Sequence, residues 1–97
     1  MYNKKKLNEF FELLIENNFL DNSRINRYES YEEFVEFLFS LLTSRERNII
    51  SKRYGLLDGI EKNPEELAEE YKVSSARIRQ IEQKALRKMR FPIKKQA

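Results

Sequence analysis

The chain has 97 residues, 40% of them hydrophobic, with seven Phe and five Tyr: enough apolar material for the core of one small domain. It contains no Cys and no His, which excludes thiol chemistry, disulfides, most zinc sites and the usual nucleophile–base triads. The net charge of +3 hides an uneven split: eight basic residues and one acid lie from Ser74 onward, against eleven basic and fifteen acidic before it.

With two Gly and two Pro in all, few hairpin turns can form. An all-α fold of about five short-linked helices is expected. No apolar run approaches the ~20 residues that span a bilayer, so no membrane partner is expected. The basic start, MYNKKK, leads into an amphipathic stretch with Glu9, Glu12 and Glu16 rather than a signal peptide.

Lys4 to Leu20 reads as an amphipathic helix. Leu7, Phe10, Phe11, Leu14 and Asn18 recur at helical spacing, and Leu13, Ile15, Phe19 and Leu20 widen the apolar face. This helix either packs on the rest of the domain or serves as a partner surface, including pairing with a second copy. Asp21 to Glu29 is polar, lacks periodicity and reads as a loop. Residues 1–29 are therefore an extension, residues 30–92 the main domain, and residues 93–97 a basic tail.

Ser30 and Glu33 form a capping box that opens the next helix. From Tyr31 to Leu42 this helix is apolar on most sides, with Phe34, Val35, Phe37, Leu38, Phe39 and Leu41, so something must cover it. Thr43 and Glu46 make another box. The helix that follows runs from Ser44 to about Tyr54 and stops at Gly55. Ile49 and Ile50 point inward, while Arg45, Arg47, Lys52 and Arg53 form a polar face. Asp58-Gly59 signals a turn within the loop from Leu56 to Lys62.

Asn63 caps the fourth helix, with Pro64 at its first position and Glu66 completing a box. After a tight turn, Ser74 caps the fifth. There Ile78, Ile81, Ala85 and Met89 recur at i, i+3, i+7 and i+11 and give one buried stripe. The opposite face carries Ser75, Ala76, Arg79, Gln80 and Gln83. This is the pattern of a helix-turn-helix whose second helix enters a DNA major groove. An ordinary helical hairpin with a solvated basic face has the same apolar spacing. Charge separates the two, because phosphate binding needs clustered cations and a merely soluble helix mixes the signs. Phe91 and Pro92 are expected to end the helix.

No enzyme constellation is present. Glu65, Glu66, Glu69 and Glu70 cluster at the exposed start of a helix, where they complement its dipole, and no cofactor is called for. Two glycines cannot build a phosphate-cradling loop.

At these residues the chain resembles a known family. RIRQIEQKALRKMRFP is similar to the end of region 4 of primary sigma factors, the sigma-70 family of bacterial RNA polymerase. LLTSRERNIISKRYGLLDG resembles the start of the same region. The spacing of N-x-x-E-L-A, V-S, I-R-Q-I-E and L-x-x-M follows the family's helix-turn-helix signature. The resemblance covers Ser30 to about Pro92. It implies a cytoplasmic, nucleoid-associated protein, bacterial or phage-encoded. Its helix-turn-helix would bind the promoter −35 element, and an apolar concavity would grip the β-flap tip of core RNA polymerase. Carried over, Arg79 and Gln80 fall at base-reading positions, suited to guanine O6/N7 and adenine N6/N7. Ser74, Arg77 and Lys84 fall where the family touches backbone or groove, as do Arg45 and Arg53 for the backbone. Arg87, Lys88 and Arg90 fall where activators dock. Ser75 and Ala76 replace an Arg and a Glu that take part in promoter reading, and Pro64 replaces a larger apolar residue. No stretch resembles region 2, which opens the −10 element.

The expected function is a region-4-like module that binds promoter DNA and core polymerase, alone or beside a second sigma-like subunit or regulator. One rival is a protein-interaction module that binds polymerase or a sigma/anti-sigma partner and reads little DNA sequence. Another is an unrelated helix-turn-helix repressor that dimerises through its N-terminal helix.

Overall fold

A computed structural model describes residues 2–17 and 30–96, with side chains of the last helix as far as Arg90. The described residues form five helices and no strand: α1 (Lys4–Glu16), α2 (Tyr31–Phe39), α3 (Ser44–Arg53), α4 (Pro64–Tyr71) and α5 (Ser75–Gln96). The all-α expectation holds.

The capping residues act as their chemistry dictates. Ser30 Oγ accepts from Glu33 N at 3.1 Å. Reciprocal boxes close at Thr43–Glu46 and Asn63–Glu66, each satisfying two donors that a helix start leaves orphaned. Asn3 Oδ1 accepts from Lys6 N at 3.0 Å and starts α1. The same residue's N–H donates to Leu56 O at 2.7 Å, tying the front of α1 to the loop after α3. That loop needs both of its glycines. Gly55 (φ +64) and Gly59 (φ +80) lie in the left-handed region. A Cβ would meet Ile60 C at 2.9 Å from Gly55 and Asn3 Nδ2 at 2.8 Å from Gly59.

Two apolar clusters fill the interior. In the larger one, α1 contributes Leu7, Phe10, Phe11 and Leu14. Phe34, Val35, Leu38 and Phe39 of α2 meet them, joined by Ile50, Leu56, and Ala85 and Met89 from the rear of α5. Phe11 stacks on Tyr31 (centroids 4.6 Å apart) and on Phe34 (5.4 Å), and Phe10 lies 4.8 Å from the Tyr54 ring. The N-terminal helix thus packs on the apolar helix after it within one chain, while Phe37 and Leu13 stay exposed. The smaller cluster joins Ile49 of α3, Leu67 and Ala68 of α4, and Ile78 and Ile81 from the front of α5.

Three boundaries differ from expectation. α1 stops at Glu16, capped by Asn17, whose Nδ2 donates to Leu13 O at 2.9 Å. The remainder of the expected helix to Leu20, and the loop Asp21 to Glu29, lie outside the described residues. α2 ends at Phe39, because Leu41 N and Leu42 N turn back to Leu38 O and Phe39 O in tighter i→i−3 bonds. α5 runs through Pro92 to Gln96 rather than stopping there. A proline forfeits its own N–H bond and presses on the carbonyl four residues back, but the turns on either side keep theirs.

Glu46 is 6% exposed and does more than cap. Its carboxylate accepts from Lys88 Nζ at 2.8 Å and from Thr43 N at 2.9 Å, joining α3 to α5. Burial pushes the Glu46 carboxyl up, but the hydrogen bonds from Lys88 and Thr43 outweigh it and hold it below the usual 4.5. A carboxyl depressed in the folded state adds stability that is present above its unfolded pKa and lost as pH falls through the folded one. Glu46→Gln is therefore expected to lower stability by about 1–3 kcal/mol near neutrality, with the gap to the parent closing as pH falls below about 4.5. Thermal melts of both chains from pH 7 to 3 check this; a gap independent of pH counts against it.

Candidate nucleic-acid interface

α4 and α5 meet across a three-residue turn. Lys72 takes the left-handed conformation (φ 57, ψ 46), the only described non-glycine residue with positive φ. Val73 N donates back to Ala68 O at 3.0 Å and closes the end of α4. Ser74 Oγ then accepts from Arg77 N at 3.1 Å and starts α5. The sequence does this with lysine where many such turns use glycine.

Burial splits α5 lengthwise. Ile78, Ile81, Ala85 and Met89 face inward. Ala76, Arg77, Arg79, Gln80, Gln83, Lys84 and Arg87 are exposed, while Ser75, Lys88 and Arg90 are half-buried. The residues expected to read DNA therefore share one solvent face, together with the exposed Ser74 just before it. Gln80 Oε1 lies 3.5 Å from Arg77 Nη1, so these two neighbours are only loosely joined.

The residues expected to act outside α5 are placed differently. Arg45 is exposed at the start of α3, with its guanidinium carbon 5.7 Å from the Tyr71 ring centroid. Arg53 is drawn inward. It lies over the Tyr54 ring at 5.3 Å, its Nε is buried without a hydrogen bond, and Glu82 Oε1 is 3.5 Å away. Tyr54 Oη donates to the other Glu82 oxygen. Burial and then that carboxylate push the Tyr54 hydroxyl well above its ordinary pKa, so it remains a donor at any physiological pH. Through Tyr54 and Glu82, the ring of Phe10 in α1 connects to Arg53 at the end of α3.

Arg53, Arg79, Arg87 and Arg90 line one cleft of about 530 Å³ with Pro64, Glu82 and Leu86. Arg87 and Arg90 thus share this cleft with Arg79, which is expected to read bases. Lys88 turns to the opposite flank, where Glu46 holds it. The three residues expected to meet a partner protein do not form one patch.

The acids of this surface have partners that the sequence does not announce. Glu65 Oε2 accepts from Arg79 Nη2 at 2.8 Å. That hydrogen bond chiefly holds the Glu65 carboxyl below its usual value. Glu70 is paired with Lys52 and Lys62, which depress it in that order. Four acids at a helix start look like dipole chemistry in one dimension. Only the crossing of α4 over α5 shows that one of them reaches the exposed face of α5, at Arg79. Among the described residues no group of His, Cys, Asp or Glu is disposed to hold a metal ion, and no helix is long and apolar enough to cross a membrane.

No solved structure matches the chain. A family model described as sigma-70, region 4 matches residues 38–90, from the end of α2 to the rear of α5. That stretch is more than half of the chain and holds the whole helix-turn-helix with its polar face. The protein therefore belongs to the sigma-70 region 4 family of DNA-binding helix-turn-helix domains.

Proposed function

We propose that this protein binds duplex promoter DNA of the −35 type through α5, binds the β flap of core RNA polymerase, and so alters promoter choice, alone or beside a second sigma-like subunit. The observation that carries the reading is the division of α5, with Arg77, Arg79, Gln80, Gln83 and Lys84 exposed on one face while the other fills both cores. In this reading Ser74, Arg77 and Lys84 hold the backbone, with Arg45 and Arg53 on the flanks. Arg79 and Gln80 read bases, with Ser75, Ala76 and Gln83 against the groove. Arg87, Lys88 and Arg90 meet protein partners.

The test is duplex binding across a salt series. If about four phosphates are contacted, log K falls with log salt at a slope of about −3.6, taking roughly −0.9 per phosphate. An affinity flat between low and physiological salt would sink the reading. A second reading keeps the fold but binds only polymerase or a sigma/anti-sigma partner. It is favoured by the small Ser75 and Ala76 on the reading face and by the acids already holding Arg53 and Arg79. Retention of core polymerase by the immobilised chain, with no salt-sensitive DNA binding, would select it.

A further inference from the structure

A carboxylate beside a phosphate-binding surface repels the ligand, so Glu65 needs a reason to be there. It is not there for the core: in the Glu65–Arg79 pair the side chains are 62% and 53% exposed, respectively. Yet its position is fixed. Asn63 and Pro64 set the start of α4, and Leu67 and Ala68 pack α4 against Ile78 and Ile81 of the recognition helix. Glu65 accepts from Nη2 of Arg79, which leaves the other donors of a five-donor fork free. A guanidinium so held still has N–H groups for the O6 and N7 of a guanine. Its charge, already paired, has less attraction for a passing phosphate.

We propose that Glu65 is a positioning residue for sequence reading: it holds Arg79 to the groove and off the backbone, so that this arginine discriminates guanine-containing steps rather than adding non-specific affinity. This rests on the DNA-binding reading above. A free arginine on the same face would reach the nearest phosphate on any sequence, which adds affinity without information. The pair therefore exchanges raw affinity for selectivity.

The experiment uses the full chain and its Glu65→Gln, Arg79→Ala and double variants. A preferred duplex is first selected from a random pool with the parent, and a scrambled duplex serves as the non-specific probe. Glu65→Gln is expected to bind the scrambled duplex more tightly, with a salt slope steeper by about 0.9, one added phosphate. Its preference for the selected duplex should fall about fivefold or more. In the Arg79→Ala background the same change should leave the preference untouched, and the thermal midpoint should hardly move in any variant. A preference unchanged in Glu65→Gln, or lost equally with and without Arg79, overturns the proposal. If the parent itself shows no salt-sensitive duplex binding, the DNA-binding reading fails and takes the proposal with it, an outcome distinct from both.

Discussion

Phe11→Ala is expected to lower the free energy of unfolding by about 3–5 kcal/mol, the range for emptying a buried phenylalanine site. Phe11 is fully buried, and two rings of α2 stack on it at 4.6 and 5.4 Å. Its removal costs transfer free energy and opens a void that rigid neighbouring rings cannot close. Small domains hold only about 5–15 kcal/mol in total, so the variant should sit at the edge of folding at 37 °C. Leu13→Ala is the control. It is on the same helix but 37% exposed, and should cost much less. Urea denaturation of the three chains decides the matter. A loss under 1 kcal/mol for Phe11→Ala would mean that α1 is a detachable arm, and its packing on α2 would then carry no weight in the fold.

Arg79→Ala should cost about 1–3 kcal/mol of discrimination between preferred and scrambled DNA, the worth of one good bidentate base contact. It should cost little on scrambled DNA, because Glu65 already pairs the charge. Arg45→Ala should behave in the opposite way. Arg45 is exposed at the front of α3, over the Tyr71 ring of α4, and should weaken all duplexes alike and flatten the salt slope by about 0.9. Competition assays across two salt concentrations separate the two patterns. Equal behaviour of the two variants would show that the division between reading and holding is wrong.

Local signals read well from the sequence. The N-caps at Ser30, Thr43, Asn63 and Ser74 each fall where a hydroxyl or amide precedes an apolar period, and each is met in three dimensions. The buried stripe of α5 was equally plain, because spacing at 3, 4 and 4 residues leaves no other face for Ile78, Ile81, Ala85 and Met89. Less legible was anything that depends on how helices cross. Glu65 and Arg79 are 14 positions apart and Glu46 and Lys88 are 42 apart, and neither pair has a periodicity to announce it. The family resemblance groups Arg87, Lys88 and Arg90, but says nothing of Glu46, which draws Lys88 away from the cleft that Arg87 and Arg90 line. Pro92 reads as a stop in the sequence, where proline's local cost is visible and the continuity of the backbone beyond it is not.

The recognition helix has one further property. Its 22 residues form a rod about 33 Å long at 1.5 Å per residue, seated at the front in the small aliphatic cluster and further back in the large aromatic one. Such a rod behaves mechanically as a lever with two bearings. The front bearing is close to where the groove would push. The rear bearing, where Ala85 and Met89 join the large cluster, would resist the resulting torque. In the DNA-binding reading, the pitch at which the rod would meet DNA depends on that large cluster, to which Leu7, Phe10, Phe11 and Leu14 belong, as well as on the exposed side chains of α5. The N-terminal helix would in this sense be the sight of the instrument, steadying a face that another helix carries.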